Sequence, residues 1–130
     1  DYGHNPDAIR ALVQAVDAMP GNKRSVVISG AGDRRDQDII EQTRILGAAF
    51  DEVILYQDAC QRGRADGEVL ALLRQGLEGA PRTRYSTEIH GEFAAIDHAL
   101  ERLAPGDLCL VLVDQVEEAL AHLQQRIASV

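Results

Sequence analysis

Short apolar runs alternate along this chain with segments whose apolar residues recur every three or four positions. The second pattern marks amphipathic helices, and the first marks strands buried on both faces. A first helix is predicted from Asn5-Pro6, with Ile9, Leu12, Val13 and Val16 on one face. Asn5 suits the cap, and Pro6 suits the first helical position, where its missing N–H costs little. Met19-Pro20-Gly21-Asn22 stops it, and Ser25–Ser29 reads as a strand. Ile39, Ile40, Leu46 and Phe50 mark a second helix, and Val53–Tyr56 a second strand. Val69, Leu70, Leu73 and Leu77 mark a third helix, and Thr83–Thr87 a weaker third strand. Phe93, Ile96, Leu100 and Leu103 give a fourth helix, stopped by Pro105-Gly106. Leu108–Val113 is the strongest strand, and Val116, Leu120, Leu123 and Ile127 give a last helix.

This alternation predicts an α/β fold: a Rossmann-like, three-layer αβα domain around a mostly parallel sheet with right-handed crossovers. Residues 1–130 read as one domain, the usual size for a single core. A strand is expected ahead of Asp1, so the domain reads as cut at its first strand and prone to self-association at the gap.

Composition narrows the function. The chain is 45% apolar and 26% charged, with a formal charge of −8. That balance argues against a general nucleic-acid binder. No apolar run reaches the roughly 20 residues of a membrane span. Cys109 lies within an apolar strand and reads as a buried small hydrophobe, whereas Cys60 falls in a polar loop. Neither a disulfide framework nor a zinc-type cluster is apparent, so a reducing cytoplasm is the simplest setting.

Ligands of open α/β sheets bind beyond the carboxyl ends of the strands. Four polar segments are expected there: Asp1–Pro6, Ser29–Asp36, Gln57–Arg64 and Glu88–Glu92. In the first, Asp1 suits ribose hydroxyls, His4 a terminal phosphate or acyl phosphate, and Asn5 caps a helix whose N-terminus favours anions. An ordinary Asn-Pro helix start is the alternative. In the second, Gly30-Ala31-Gly32 allows close backbone approach to an anion, and Arg34 and Arg35 can grip a carboxylate or phosphate through paired N–H groups. The alternative there is a surface turn with Asp33 or Asp36 capping the next helix. Arg62-Gly63-Arg64 is a basic loop that, on its own, a solvated surface explains better than a binding role does, and Asp66-Gly67-Glu68 can cap the third helix. His90 is a candidate contact at the site edge. His98 and His122 fall on polar helical faces and receive no role. No phosphate-loop Lys-Ser/Thr pair is present.

Asp1-Tyr2-Gly3-His4-Asn5-Pro6 resembles the segment that opens the third domain of Mur-type amide ligases. Gly32-Asp33-Arg34-Arg35-Asp36, Phe50-Asp51-Glu52, Arg62-Gly63-Arg64 and Gly67-Glu68 resemble the cyanophycin synthetase branch of that family. The resemblance implies the C-terminal domain of a larger ATP-dependent ligase. In that branch, an aspartate β-carboxylate on a poly-aspartate backbone is activated as an acyl phosphate and joined to arginine. It implies ATP and Mg²⁺ held mainly by a central domain upstream, and an isolated domain without turnover. Asp1, His4 and Asn5 would serve the nucleotide, with His4 catalytic. Arg34, Arg35, Arg62 and Arg64 would serve the substrate. The alternatives are a cell-wall or folylpolyglutamate-type ligase domain and, in another class, a non-catalytic Rossmann-like binding module. Homo-oligomerisation is compatible with each.

Overall fold

The computed structural model describes residues 6–19, 23–29, 35–57 and 67–111, together with residues 121 and 124. Helices and strands alternate: α1 (Pro6–Asp17), β1 (Arg24–Ile28), α2 (Asp36–Gly47), β2 (Glu52–Gln57), α3 (Glu68–Leu77), β3 (Tyr85–His90), α4 (Glu92–Glu101) and β4 (Leu108–Val111). The described strands form one parallel sheet in the order β3-β2-β1-β4.

Strand side chains alternate between the two faces, and the core divides accordingly. Val26, Ile28, Val53 and Leu55 point to one side and pack with Ile9 and Val16 of α1, Ile39 and Leu46 of α2, and Val69, Leu70 and Leu73 of α3. Val27, Ile54 and Tyr56 point to the other side and pack with Ala95 and Ala99 of α4, joined by Ile89, Cys109 and Val111. The result is the expected three-layer αβα arrangement. α2 and α3 approach closely at Gly76, where a Cβ would collide with Thr43 Oγ1 and the Ile40 carbonyl oxygen. Thr43 Oγ1 donates to the Leu73 carbonyl there at 2.6 Å.

Several local expectations need correction. α2 ends at Gly47, so Phe50 is not helical. The chain turns back through Phe50 N–H to the Leu46 carbonyl, and the ring plugs the core with no exposure. β3 runs Tyr85–His90, two residues beyond the predicted start at Thr83. Thr83 instead closes the corner below β2, its hydroxyl bonding the Phe50 carbonyl at 2.8 Å. His90 is accordingly the last strand residue, and Leu103 lies past the end of α4, on the surface. Cys109 is only half-buried, on strand β4 at the end of the described sheet, and His98 is half-buried with its Nε2 out of contact with water. Residues 112–113, most of the last predicted helix, Cys60 and His122 lie outside the described residues; residues 121 and 124 are helical.

At the amino end of the sheet, Glu52 is buried to 1% exposure between Lys23 Nζ at 3.5 Å and Arg102 Nε at 2.6 Å. The oxygens meet these cations by distance without aligned hydrogen bonds. Asp51 receives the Arg24 backbone N–H at 2.9 Å and Arg82 Nε at 3.1 Å. These charges fasten the strand starts.

Candidate functional site

Because the strands are parallel, their carboxyl ends share one edge, and α2, α3 and α4 all begin there. Gln57 pairs with His90 in register, and Ile28 with Leu55. The chain proceeds from β1 to β2 to β3 in one direction and then returns to place β4 beside β1 on the other side. The reversal between β1 and β4 is where open α/β sheets form a ligand crevice. Ser29, fully buried, stands at the end of β1 beside it.

α1 reaches the same edge. Arg24 Nη1 donates to Asp17 Oδ1 at 2.5 Å, holding the end of α1 to the start of β1. Arg10 Nη2 donates to Glu41 Oε2 at 3.0 Å, one turn or so into both α1 and α2. The two helices therefore run side by side in the same direction. A 12-residue helix spans about 18 Å and a five-residue strand about 17 Å. Pro6 consequently stands at the carboxyl edge of the sheet, and the sequence immediately before it is Asp1–Asn5.

The chain's own carboxylates occupy the described helix starts: Asp7 in α1, Asp36 and Asp38 in α2, Glu68 in α3, Glu92 in α4. Each complements the positive end of a helix dipole. Gly67, at φ 82°, is the cap of α3, and Gly91, at φ 98°, the cap of α4; both conformations suit glycine. Glu92 is 5% exposed and accepts a 2.9 Å hydrogen bond from Tyr56 Oη. This buried pair joins the end of β2 to the start of α4, and sequence reasoning missed it. The signal was an apolar strand ending in tyrosine and a glycine-glutamate pair opening a helix.

Among the residues predicted to bind nucleotide or substrate, Arg35 is the one the structure describes. It caps α2 with extended backbone and supplies no side-chain cap bond. Its exposed guanidinium meets Asp38 with Nε to Oδ2 and Nη2 to Oδ1, both 3.2 Å. Hydrogen bonding to Asp38, aided by its charge, raises the Arg35 pKa further. Asp36 is the first helical residue rather than the cap. Asp1, His4, Asn5, Arg34, Arg62 and Arg64, with Asp33 and Asp66, lie outside the described residues. His90 is exposed at the end of β3. Among the described residues no group of three or more His, Cys, Asp or Glu side chains could hold a metal ion. No described helix is long and apolar enough to cross a membrane.

The family described as Mur ligase, glutamate ligase domain matches residues 1–126. The chain belongs to that family. This Mur ligase domain is 35% identical over 127 residues to the cyanophycin synthetase of Synechocystis sp., covering 97% of this chain and 14% of that protein. The cyanophycin synthetase of Crocosphaera subtropica is 32% identical, with the same 97% and 14% coverage. A UDP-N-acetylmuramoyl-L-alanyl-D-glutamate–2,6-diaminopimelate ligase of Zymomonas mobilis is 33% identical over 85% of this chain and 21% of its own length. In three dimensions the domain superposes on a solved structure of a ligase of that name with a TM-score of 0.77, at 22% identity, covering 97% of this chain and 28% of that one. The domain thus spans about a seventh of the length of the cyanophycin synthetases it matches.

Proposed function

We propose that this Mur ligase domain is the closing domain of an ATP-dependent amide ligase, most similar to cyanophycin synthetase, that adds arginine to an aspartate β-carboxylate. The observation that carries this reading, beside the similarity to cyanophycin synthetases over 97% of the chain, is the common orientation of α1 and α2 that the Arg10–Glu41 contact reports. That orientation puts the start of α1 at the edge that β1 and β2 also feed.

ATP supplies the phosphoryl group that converts the acceptor carboxylate into an acyl phosphate. In this reading Asp1 holds ribose hydroxyls, His4 donates to the terminal or acyl phosphate, and Asn5 caps α1 behind it. Arg34 holds the carboxylate of the incoming amino acid, supported by Arg62, Arg64 and Arg35, whose guanidinium would have to share or leave its contact with Asp38. In this reading the phosphate loop and Mg²⁺ belong to a companion domain, which the similarity to much longer ligases supports. Closure of this domain would exclude water from an acyl phosphate that water would otherwise hydrolyse.

The test is amino-acid-dependent phosphate release by the assembled ligase across a panel of amino acids, with an aspartate-containing acceptor. Stimulation by arginine supports the cyanophycin-type reading. Stimulation by diaminopimelate with a muramyl-peptide acceptor moves the domain to the cell-wall branch. Binding of amino acid without phosphate release under either acceptor would favour a non-catalytic module.

A further inference from the structure

β3 ends the sheet, pairing with β2 alone among the described strands. It is also the least covered strand, with Tyr85, Ser86, Glu88 and His90 exposed. Sheet edges are normally guarded by proline, a bulge or an unpaired charge. β3 contains no proline or lysine, and its Tyr85, Thr87 and Ile89 favour strand structure. Its one carboxylate, Glu88, is neutralised by Arg74 of α3 through two contacts of 2.6 Å. Tyr85 is 58% exposed, more than either other exposed large hydrophobic residue, Met19 or Leu103. Arg84, just before the strand, is exposed and makes no ion pair among the described residues.

We propose that two copies of this chain pair antiparallel along β3 about a twofold axis at Ser86, joining their sheets into one. That register is self-complementary. It sets Arg84 opposite the partner's Glu88, and by symmetry sets the same pair a second time. It sets Tyr85 opposite the partner's Thr87. The two kinds of pair fall on opposite faces. Glu88 meets Arg74 from α3, so residues 84, 86 and 88 share the α3 side. Ile89 packs with the α4 cluster, so residues 85, 87 and 89 share the other side. Opposite charges and aromatic–β-branched neighbours directly across an antiparallel pair are both favourable. Isologous contact also suits a chain of net charge −8, because Arg84 adds a second cation beside each Arg74–Glu88 pair. The sequence suggested self-association at a gap before Asp1; β3 is a different surface, and the proposal stands independently of the ligase reading.

Sedimentation equilibrium of the 130-residue chain tests it with two single variants, Arg84→Glu and Glu88→Arg. Each places like charges opposite one another and should weaken the dimer about tenfold or more. An equimolar mixture of the two variants should recover a heterodimer, because each then meets its opposite charge. Circular dichroism confirms that each variant is folded, and recovery in the mixture itself shows that neither has lost β3. A wild-type chain that stays monomeric at every concentration overturns the proposal. So does a dimer that both substitutions leave unchanged.

Discussion

Arg10 and Glu41 meet at 3.0 Å across the surface between α1 and α2, at nearly the same depth in each helix. Such an exposed pair contributes little stability, typically 1 kcal/mol or less. Its value is what it reports: two helices separated by a strand start at one edge of the sheet. The apolar residues Ile9 and Val16 fix the face of α1, and the pair marks its direction.

The tightest contact under this arrangement is between α2 and α3. Gly76→Ala should destabilise the domain by about 3 kcal/mol, at the upper end of overpacking costs. The new methyl would meet a backbone carbonyl and a hydroxyl already engaged with Leu73, neither of which can swing away. Chemical denaturation measures it, and a loss below about 1 kcal/mol would show that the helices can separate freely.

Tyr56→Phe should cost about 1–3 kcal/mol, because the Glu92 carboxyl loses a buried hydrogen bond while its burial persists. Tyr56→Phe keeps the ring and its packing on Ala95 and Ala99. Urea unfolding checks this, and a neutral result would mean that solvent reaches Glu92.

What the sequence made legible follows from which residues carry a single message. Val26-Val27-Ile28 and Val53-Ile54-Leu55 are continuous apolar runs, and both became central strands. β3 was misplaced because Glu88 and His90 look wrong for a strand. An exposed edge tolerates them, and Arg74, distant in sequence, answers the charge. Phe50 was misassigned because a helical period does not reveal where the helix stops, and Ala48–Phe50 continue it by chance. Tyr56 with Glu92 was illegible for a related reason: the partners lie 36 positions apart and neither is unusual alone. The opening motif was legible as a resemblance, and the family match extends across it.

Two carboxyl groups contribute to the acid sensitivity of the fold. The Arg74 hydrogen bonds hold Glu88 below its ordinary pKa against the opposing effect of burial. Burial pulls Asp51 upward, but the Arg24 backbone N–H and the Arg82 guanidinium outweigh it and leave it lowered. A depressed folded pKa means that the unfolded chain binds more protons. The contribution is therefore fully present above the unfolded carboxyl pKa of about 4 and disappears as pH falls through the folded values. Stability should fall with acidification below about pH 4 through these groups. Arg74→Ala should raise the Glu88 titration midpoint in carboxyl NMR; an unmoved midpoint would deny the pair any electrostatic role.

On the substrate side, Arg34→Ala should weaken amino-acid binding by roughly ten- to hundredfold, the range for a lost charged hydrogen bond of about 1.5–3 kcal/mol. Arg34→Lys should not restore it fully, since an ammonium lacks the planar fork. The effect should appear in the amino-acid titration. A larger effect in the ATP titration would assign Arg34 to phosphate.

The most direct measurement is turnover and thermal unfolding of His4→Ala in the assembled ligase. His4 precedes the α1 start, whose direction toward the ligand edge follows from Arg10 and Glu41. Turnover should fall about tenfold or more, as for loss of one charge-assisted hydrogen bond to a reacting phosphate, with the melting temperature little changed. Turnover equal to wild type would contradict the central claim that this domain completes the ATP-dependent site.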